Sequence, residues 1–274
     1  MKKTFVLFFS LFLSFNVALA GRKVALITGS VSGIGLGIAM EMAKGGYGIV
    51  LNGFGDVDSA VTQVSTFGTR VTYINADLKD PRQIASMFQA IVSTFGRLDV
   101  LVNNAGIQYV SPIEKMPIEK WNDIIAVNLT APFIAIQHAL PIFREGGHGR
   151  IINIASTHGL VASVDKLAYV AAKHGVIGLT KVVALETAQT NITCNAICPG
   201  WVLTPLVEKQ ISDRAEQKGA TIEDEKSALV SEKHPSQQFV TVEQIGQAVL
   251  FLCSPAADQM RGASLVIDGG WTAQ

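Results

Sequence analysis

A tyrosine and a lysine four residues apart could carry proton-transfer chemistry in this chain. Tyr169 and Lys173 are predicted to share one helix, where positions i and i+4 are neighbours on the same face. A free tyrosine titrates at about pH 10, but a nearby ammonium group favours the phenolate and makes the side chain a usable general base. Ser156, predicted to end a strand, could hydrogen-bond a substrate oxygen and stabilise charge there. The alternative is an amphipathic helix whose polar side chains are merely solvated.

A glycine-rich turn near the start of the chain could bind a phosphate-containing cofactor. The segment Thr28-Gly-Ser-Val-Ser-Gly-Ile-Gly35 follows an apolar run and opens a predicted helix. One glycine allows a tight turn, one lets backbone N–H groups approach a pyrophosphate, and one lets the helix pack closely on the strand. The pattern predicts a dinucleotide site, with an ordinary glycine-rich turn as the alternative. The predicted cofactor contacts here are Thr28, Gly29, Ser32, Gly33, Ile34 and Gly35.

The residues after the second predicted strand bear on which dinucleotide binds. The run Leu51-Asn-Gly-Phe54-Gly-Asp56 has no acid at the strand end and no Arg or Lys to meet a 2′-phosphate. The missing basic residue favours NAD over NADP, with Phe54 as a cofactor contact. After the third strand, Asp77 could accept a hydrogen bond from the adenine amino group and Leu78 could cover the ring. Asp77 could equally be the N-cap of a helix at Pro81.

Seven short apolar or β-branched runs alternate with segments of helical period along the chain. This alternation predicts an α/β fold, one domain over residues 21–274 with a Rossmann-type, doubly wound sheet of about seven parallel strands. The predicted strands are 24–28, 49–52, 71–75, 100–103, 150–155, 192–197 and 263–267. The polar segment 206–236 interrupts this rhythm near the carboxyl ends of the strands. It predicts a helical substrate lid over about 203–238.

Polar side chains near the tyrosine and serine indicate the kind of substrate. An amide, an imidazole, an ammonium and a second amide would suit a small anion, most simply a carboxylate, whereas a steroid or a long acyl chain needs an apolar pocket. Two tryptophans could limit the pocket to a few carbons. The alternatives without a substrate contact are solvated polar groups, a packed histidine, and aromatic side chains of the core or a subunit interface. The predicted substrate contacts are Gln108, Ser156, His158, Lys166, Tyr169, Trp201, Gln210 and Trp271.

Five ordered motifs resemble those of the short-chain dehydrogenase/reductase family. They are Thr28-Gly-x3-Gly-x-Gly35, Asn103-Asn-Ala-Gly106, Asn128, Ser156 with Tyr169 and Lys173, and Pro199-Gly200, and the resemblance covers about residues 22–274. It implies hydride transfer to or from a nicotinamide, with Tyr169 as general base. It also implies that Asn128 holds a water that links Lys173 to solvent. The further cofactor contacts that it implies are Asn104, Ala105, Gly106, Tyr169, Lys173, Pro199, Gly200, Val202 and Thr204.

Longer segments resemble the members of that family that act on short 3-hydroxy acids. They include Leu51–Asp56, His158–Ser163, Thr204–Gln210 and Asp268–Thr272. The resemblance implies reversible oxidation of (R)-3-hydroxybutyrate to acetoacetate with NAD in a homotetramer whose lid closes on the substrate. The alternative is a 3-oxoacyl thioester reductase or another small hydroxy-acid or alcohol reductase of the family. The thioester enzyme would be expected to use NADP and to carry a basic residue near the glycine loop or the second strand. A non-catalytic dinucleotide-binding sensor would be expected to have lost part of the tetrad.

Composition excludes several other classes of protein. The chain has 274 residues, with 22 Lys+Arg against 22 Asp+Glu, so no long-range field would steer nucleic acid to it. The three cysteines, Cys194, Cys198 and Cys253, lack nearby metal-ligand spacing and are predicted to be buried free thiols. The five histidines show no metal-ligand spacing either, and only His158 is predicted to matter for function. No metal is predicted.

The first twenty residues look like a secretory signal. Lys2 and Lys3 precede an apolar run over 5–15, and Ala18-Leu-Ala20 is a small-x-small cleavage pattern. The run is shorter than the roughly 20 residues of a spanning helix, so stable membrane association is not predicted. Export, retention with an inefficient leader, and a true start near Gly21 all remain open. Because the soluble nicotinamide pool is cytosolic, we expect a cytoplasmic protein, with the periplasm or secretion as the alternative.

Overall fold

The computed structural model describes residues 21–274, so the predicted leader over 1–20 lies outside the described part. Within it, seven parallel strands form one sheet in the order β3-β2-β1-β4-β5-β6-β7, which confirms the predicted doubly wound α/β fold. The observed ends of the strands differ from the predicted ones by at most two residues. The strands are β1 (Val24–Ile27), β2 (Gly48–Leu51), β3 (Val71–Tyr73), β4 (Val100–Asn103), β5 (Gly149–Ile154), β6 (Ile192–Pro199) and β7 (Ser264–Ile267).

Helices cover both faces of the sheet. A π-helical stretch, Ala126–Thr130, joins α4 to α5 in one continuous helical run. That run and α6 are long and apolar enough to cross a membrane by length and composition, but much of each is buried inside the domain. The helices are α1 (Gly33–Lys44), α2 (Val57–Ser65), α3 (Pro81–Phe95), α4 (Ile118–Ile125), α5 (Ala131–Glu145), α6 (Leu167–Glu186), α7 (Pro205–Lys218), α8 (Ile222–Ser231) and α9 (Val242–Leu252).

Successive residues of the central strands point to opposite faces and build two separate cores. Ile27 packs with α1 and α9 on one face, whereas Leu26 packs with α3 and α5 on the other. Both side chains are fully buried, as expected for a strand covered by helices on both sides. The strand order reverses between β1 and β4, so the chain segments that follow these two strands turn to opposite faces of the sheet and leave a crevice there.

The segment predicted as a lid consists of α7 and α8 and has a small core of its own. Val207 and Ile211 of α7 pack on Leu229 of α8. Arg214 of α7 and Lys218 pair with the buried Glu225 of α8, at 3.0 and 2.8 Å. The residues that enter and leave the segment are joined by a parallel bridge between Val202 and Val240. The two helices therefore form one unit attached to the sheet at a narrow double-stranded base.

Candidate active site

The glycine turn between β1 and α1 is shaped for an anionic ligand. Gly29 and Gly33 have φ values of +63° and +54°, which favour glycine. A Cβ on Gly35 would lie 2.2 Å from the carbonyl oxygen of Gly29, so a side chain there would force the helix away from the strand. The Ser32 side chain does not cap α1, and its first turn carries no acid. The helix N-terminus is thus left to bind a phosphate, and the residues present fit a dinucleotide.

Thr28 supports this turn from beneath. Its hydroxyl accepts hydrogen bonds from the backbone N–H groups of Asn104 and Ala105, at 3.0 and 3.1 Å. The amide of Asn104 in turn donates to the carbonyl oxygens of Thr28 and Gly29, at 2.8 and 3.0 Å. Thr28 is buried and does not line the cavity, so the structure gives it a positioning role, and its predicted contact with the cofactor stays a prediction. Hydrogen bonds therefore lock the ends of β1 and β4 together.

A cavity of about 550 Å³ opens above the carboxyl ends of the strands. It runs from the glycine turn past the ends of β2 and β3 to the start of α6, and it is large enough for a dinucleotide. The structure brings most of the predicted cofactor contacts to its wall. They are Gly29, Ser32, Gly33, Ile34, Gly35, Phe54, Asp77, Leu78, Asn104, Ala105, Gly106, Tyr169, Lys173 and Thr204.

Three predicted cofactor contacts after β6 are not on this wall. Pro199 ends β6 and is buried in the sheet, and Val202 is buried against Val240. A Cβ on Gly200 would lie 2.3 Å from Nε2 of His234, so this glycine lets a histidine approach the backbone. These residues form the base of the lid rather than the cofactor wall. Thr204, the fourth of the group, faces Gly33, whose Cβ would lie 3.5 Å away.

At the far end of the cavity, near β2 and β3, the polar side chains of Asn52 and Asp77 are hydrogen-bonded within the protein. The Asn52 amide donates to the carbonyl oxygens of Ile74 and Ala76, at 3.1 and 3.0 Å, and so joins β2 to the chain after β3. The Asp77 carboxylate accepts from the N–H of Lys79, at 2.9 Å. The N-cap of α3 is Asp80, so the alternative reading of Asp77 as that cap was wrong. Asp77 therefore remains a residue of the cavity wall.

Tyr169 and Lys173 lie one turn apart on α6, as predicted. The ammonium of Lys173 is 5.6 Å from the centre of the Tyr169 ring and donates to the carbonyl oxygen of Ile154 at 2.7 Å. Burial lowers the pKa of Lys173 to about 8. Burial also raises the pKa of Tyr169, and a hydrogen bond with Ser156 opposes that rise. Burial thus opposes the effect expected of the lysine charge, and the role of Tyr169 as general base stays a prediction.

Asn128 is buried in the π-helical stretch between α4 and α5. Its Oδ1 accepts from the N–H of Ile107 and its Nδ2 donates to the carbonyl oxygen of the same residue, both at 2.9 Å. The π-helical widening turns the amide toward the loop after β4, and such irregularities are frequent at functional sites. Asn128 therefore holds the loop that carries Gln108. This contact was not anticipated from the sequence.

His158 connects the catalytic residues to an aromatic wall. Its Nδ1 is 3.5 Å from Oγ of Ser156, and its Nε2 is 2.9 Å from Oγ of Ser163. The ring centres of Tyr169 and Trp271 lie 6.0 and 5.2 Å from that of the imidazole, both edge-on. Burial lowers the pKa of His158 to about 4, and the charge of Lys166 adds to the shift. The imidazole is therefore neutral near pH 7 and acts by hydrogen bonding.

Lys166 stands over a stacked tryptophan pair. The ring centres of Trp201 and Trp271 are 6.0 Å apart, and the Lys166 ammonium lies 4.7 Å from the Trp201 ring centre. Asp165, with φ +63°, turns the backbone immediately before this lysine and the start of α6. Burial lowers the pKa of Lys166 to about 8, and the charges of Arg214 and Lys233 act in the same direction. Repulsion among cations thus accompanies desolvation at this site.

The two predicted glutamines lie on different segments. Gln108 lies in the loop held by Asn128, and its Nε2 is buried without a hydrogen-bond partner in the described part of the chain. The indole Nε1 of Trp201 is likewise buried without a hydrogen-bond partner in the described residues. Buried donors normally have partners, so these two N–H groups are candidates to contact a ligand. Gln210 lies on α7, one turn after the cavity residue Leu206.

Sequence reasoning missed a second functional histidine. His234 is fully buried, its Nε2 accepts from the N–H of Trp201 at 2.8 Å, and its Nδ1 donates to the carbonyl oxygen of Gln238 at 2.7 Å. It therefore ties the entrance of the lid to its exit and fixes the backbone of Trp201. His234 thus has a positioning role that the sequence did not predict. The available signal was its place, in a His-Pro pair at the end of the polar insertion.

The cysteines and candidate metal ligands add no second site. Cys194, Cys198 and Cys253 are buried free thiols, as predicted. Burial raises the pKa of Cys198 to about 11, so this thiol is protonated near neutral pH. Within residues 21–274, no three His, Cys, Asp or Glu side chains are grouped so as to hold a metal ion. The chemistry of the described domain is therefore concentrated around Tyr169.

We expect the affinity for a small carboxylate to fall as the pH rises through about 8. Lys166 has its pKa lowered to about 8, so its ammonium is present below that pH and lost above it. The measurement is butyrate binding followed by tryptophan fluorescence on both sides of that pH. Lys166→Arg keeps its charge throughout and should flatten the profile. An unchanged profile in this variant would assign the titration to another group.

Comparison with known proteins agrees with the geometry. A family model described as enoyl-(acyl carrier protein) reductase matches residues 29–272. The chain is 56% identical over 254 residues to the D-beta-hydroxybutyrate dehydrogenase of Cupriavidus necator, covering 92% of this chain and 98% of the relative. It is 51% identical to the enzyme of the same name from Rhizobium meliloti, covering 92% and 99%. The solved L-sorbose reductase of Gluconobacter frateurii, complexed with NADPH and L-sorbose, superposes with a TM-score of 0.89 at 31% identity, covering 94% and 99%.

Proposed function

Since the chain belongs to the short-chain dehydrogenase/reductase family of nicotinamide-dependent oxidoreductases, we propose that it interconverts (R)-3-hydroxybutyrate and acetoacetate. The two curated relatives named above are both D-beta-hydroxybutyrate dehydrogenases, and each aligns over nearly its whole length. The tetrad of Asn128, Ser156, Tyr169 and Lys173 is complete in this chain. A non-catalytic dinucleotide-binding role is therefore not favoured.

The observation that carries the choice of substrate is the set of donors around the tryptophan pair. Lys166 supplies an ammonium, and Gln108 and Trp201 each supply a buried N–H without a partner in the described part of the chain. A carboxylate accepts several such hydrogen bonds at once, and charge-assisted ones are the strongest. The stacked rings of Trp201 and Trp271 limit the room to a short chain. The pocket therefore suits a small hydroxy acid better than a thioester.

The proposed chemistry is proton removal by Tyr169 coupled to hydride transfer. The nicotinamide supplies the hydride acceptor when it is bound. Ser156 donates its one O–H to the substrate oxygen and lies beside the phenol, so it directs the substrate hydroxyl proton toward Oη of Tyr169. His158 holds Ser156 through its backbone N–H, at 3.1 Å, and through the ring. Lys173, anchored on Ile154, supplies a positive charge beneath the phenol.

We propose NAD rather than NADP as the cofactor. The stretch that follows β2, residues 52–56, carries no cation for a 2′-phosphate, and the Asn52 amide is occupied by backbone carbonyls. Lys79 lies on the cavity wall, but its ammonium is 3.4 Å from the carboxylate of Asp123. Two solved structures similar to this chain contain NADPH, so a preference for NADP is the alternative to be tested. The comparison to make is kcat/KM for the two dinucleotides.

The experiment that tests the function is a substrate and cofactor panel. The full-length protein is offered (R)-3-hydroxybutyrate, its (S) enantiomer and a neutral alcohol of similar size, each with NAD and with NADP, and reduced cofactor is followed by absorbance. We expect turnover of the (R) acid with NAD. In the reverse direction, acetoacetate and a 3-oxoacyl thioester distinguish the leading function from the alternative. Efficient turnover of the neutral alcohol or of the thioester would contradict the carboxylate pocket.

We also propose a homotetramer. Apolar side chains are exposed on α5 and α6, where Phe133 is 48% and Leu185 77% exposed, and on the opposite side at Phe251 of α9 and Val266 of β7. Two separate apolar patches allow two kinds of symmetric contact, and two such contacts build a tetramer of two-fold symmetry. Light scattering during size-exclusion chromatography measures the mass. A monomer at working concentration would contradict the proposal.

We propose that the enzyme works in the cytosol, where the soluble nicotinamide pool lies. The signal-like residues 1–20 favour the alternative location outside the cytosol. Cell fractionation with mass spectrometry of the N-terminus separates the two. An N-terminus at Gly21 in the periplasmic or secreted fraction would overturn the proposal.

A further inference from the structure

The tryptophan pair carries a lysine on each of its members. Lys166 lies over the ring of Trp201, and the ammonium of Lys233 lies 5.7 Å from the ring centre of Trp271. The two lysines come from different parts of the fold, because Lys166 immediately precedes α6 and Lys233 follows α8 at the end of the lid. Lys233 is only partly exposed. Two cations therefore flank the aromatic group that His158 joins to Tyr169, one from the body of the domain and one from the lid.

Neither lysine has an anionic partner in the part of the chain that the structure describes. The nearby Arg214 is different, because it is paired with Glu225 and Glu232. The charges that act on Lys166 are those of Arg214 and Lys233, and both repel it. The charge of Lys233 also acts on His158. Like charges held together without a counter-ion are unfavourable, so a bound anion would relieve the repulsion.

The position of Lys233 is set by its neighbour in the chain. His234 is fully buried and is hydrogen-bonded to the lid entrance at Trp201 and to the lid exit at Gln238. The ring of His234 is also 6.1 Å from that of Trp271. The backbone that carries Lys233 is therefore anchored beside Trp201 and Trp271, which distinguishes this lysine from the exposed lysines Lys209 and Lys218 on α7.

We propose that Lys233 determines specificity for anionic substrates by forming, with Lys166, a two-lysine carboxylate site across the tryptophan pair. The site lies between the body of the domain and the lid, so an anion bound between the lysines holds the end of α8 toward the catalytic residues. This inference rests on the proposed function, because it assigns a second cation to the same carboxylate. It makes a lid residue, rather than the body alone, select acids over neutral alcohols.

The test compares Lys233→Met with Lys233→Arg and with Lys226→Met. Lys226 is a matched control on α8, where its ammonium lies 3.9 Å from Glu223. We expect Lys233→Met to raise the KM for (R)-3-hydroxybutyrate by roughly ten-fold with kcat changed by less than about two-fold. The KM for the uncharged methyl ester of the same acid should not change. Lys233→Arg should restore the KM for the acid, and Lys226→Met should behave as the parent protein.

Butyrate binding supplies a readout that needs no turnover. Tryptophan fluorescence should report weaker butyrate binding in Lys233→Met, and added salt should weaken binding more in the parent than in the variant. Equal changes in KM for acid and ester, or unchanged KM and butyrate affinity, would overturn the proposal. If Lys233→Met proves unstable, Lys233→Gln replaces it and the same comparisons apply. Loss of butyrate binding in a protein that does not oxidise the hydroxy acid would support the anion site and contradict the proposed function.

Discussion

Tyr169→Phe should lower kcat by about a thousand-fold or more and leave NAD binding within about two-fold of the parent value. The substitution removes the one oxygen that can accept the substrate proton and keeps the ring that packs on His158. Ser156 is near enough to the phenol to oppose the rise in its pKa, so we expect the proton path to begin with those two oxygens. Single-turnover assays measure the chemical step, and titration with NADH fluorescence measures cofactor affinity.

A conservative change elsewhere on the active-site side provides the control for this variant. Tyr109 lies in the loop after β4, is 39% exposed, and has no assigned role in proton transfer. Tyr109→Phe should therefore retain turnover. Near-normal activity in Tyr169→Phe would refute the assignment of the base. Equal loss of turnover and of NAD affinity in Tyr169→Phe would indicate that the ring position, rather than proton transfer, had been disturbed.

Lys166→Ala should raise the KM for (R)-3-hydroxybutyrate by about ten- to hundred-fold and leave the KM for NAD nearly unchanged. A hydrogen bond to a charged group contributes roughly 1.5–3 kcal/mol, which corresponds to a change of that size. Lys166 stands over Trp201 and apart from the glycine turn that would hold the pyrophosphate. Steady-state kinetics with each substrate varied in turn separates the two constants.

The matched control for Lys166 is on α6, the helix that Lys166 precedes. Lys181 of α6 is exposed and far along the helix from the pocket, so Lys181→Ala should leave both constants unchanged. Lys166→Ala removes the ammonium but also uncovers the face of Trp201. Lys166→Met retains an apolar cover, so a similar KM in both variants would attribute the effect to charge. A parallel rise in the KM for acid and for NAD would show that Lys166 is structural.

Local patterns in the chain were sufficient to predict the fold and the catalytic helix. The alternation of apolar strands with helical segments predicted seven strands and their order of appearance, because burial on both faces imposes apolar runs on the central strands of a parallel sheet. The glycine turn at Gly29 and Gly33 was also recognisable, since positive φ there restricts the residue type. The spacing of Tyr169 and Lys173 placed both on one face of α6 by helix geometry alone.

Relations between segments far apart in the chain were decided by the tertiary structure. Nothing local marked Thr28 as a buried support for Asn104 and Ala105, because those residues meet only when β1 and β4 lie side by side. The pKa of Tyr169 likewise depends on burial, which raises it and so opposes the effect expected of the Lys173 charge. Desolvation depends on everything packed around a group, and sequence spacing does not report it.

In the lid as well, the sequence predicted the helical insertion and the tertiary structure decided its contacts. Its polar, helical composition identified the insertion, since a segment without an apolar run cannot be a strand of a covered sheet. Only folding brings His234 to the backbone of Trp201 and sets Lys233 over Trp271. These contacts join residues that are distant along the chain, and they lie beside the parallel bridge between Val202 and Val240 at the base of the lid. Local sterics thus specify the elements, whereas the environment of each charge at the site arises from their packing.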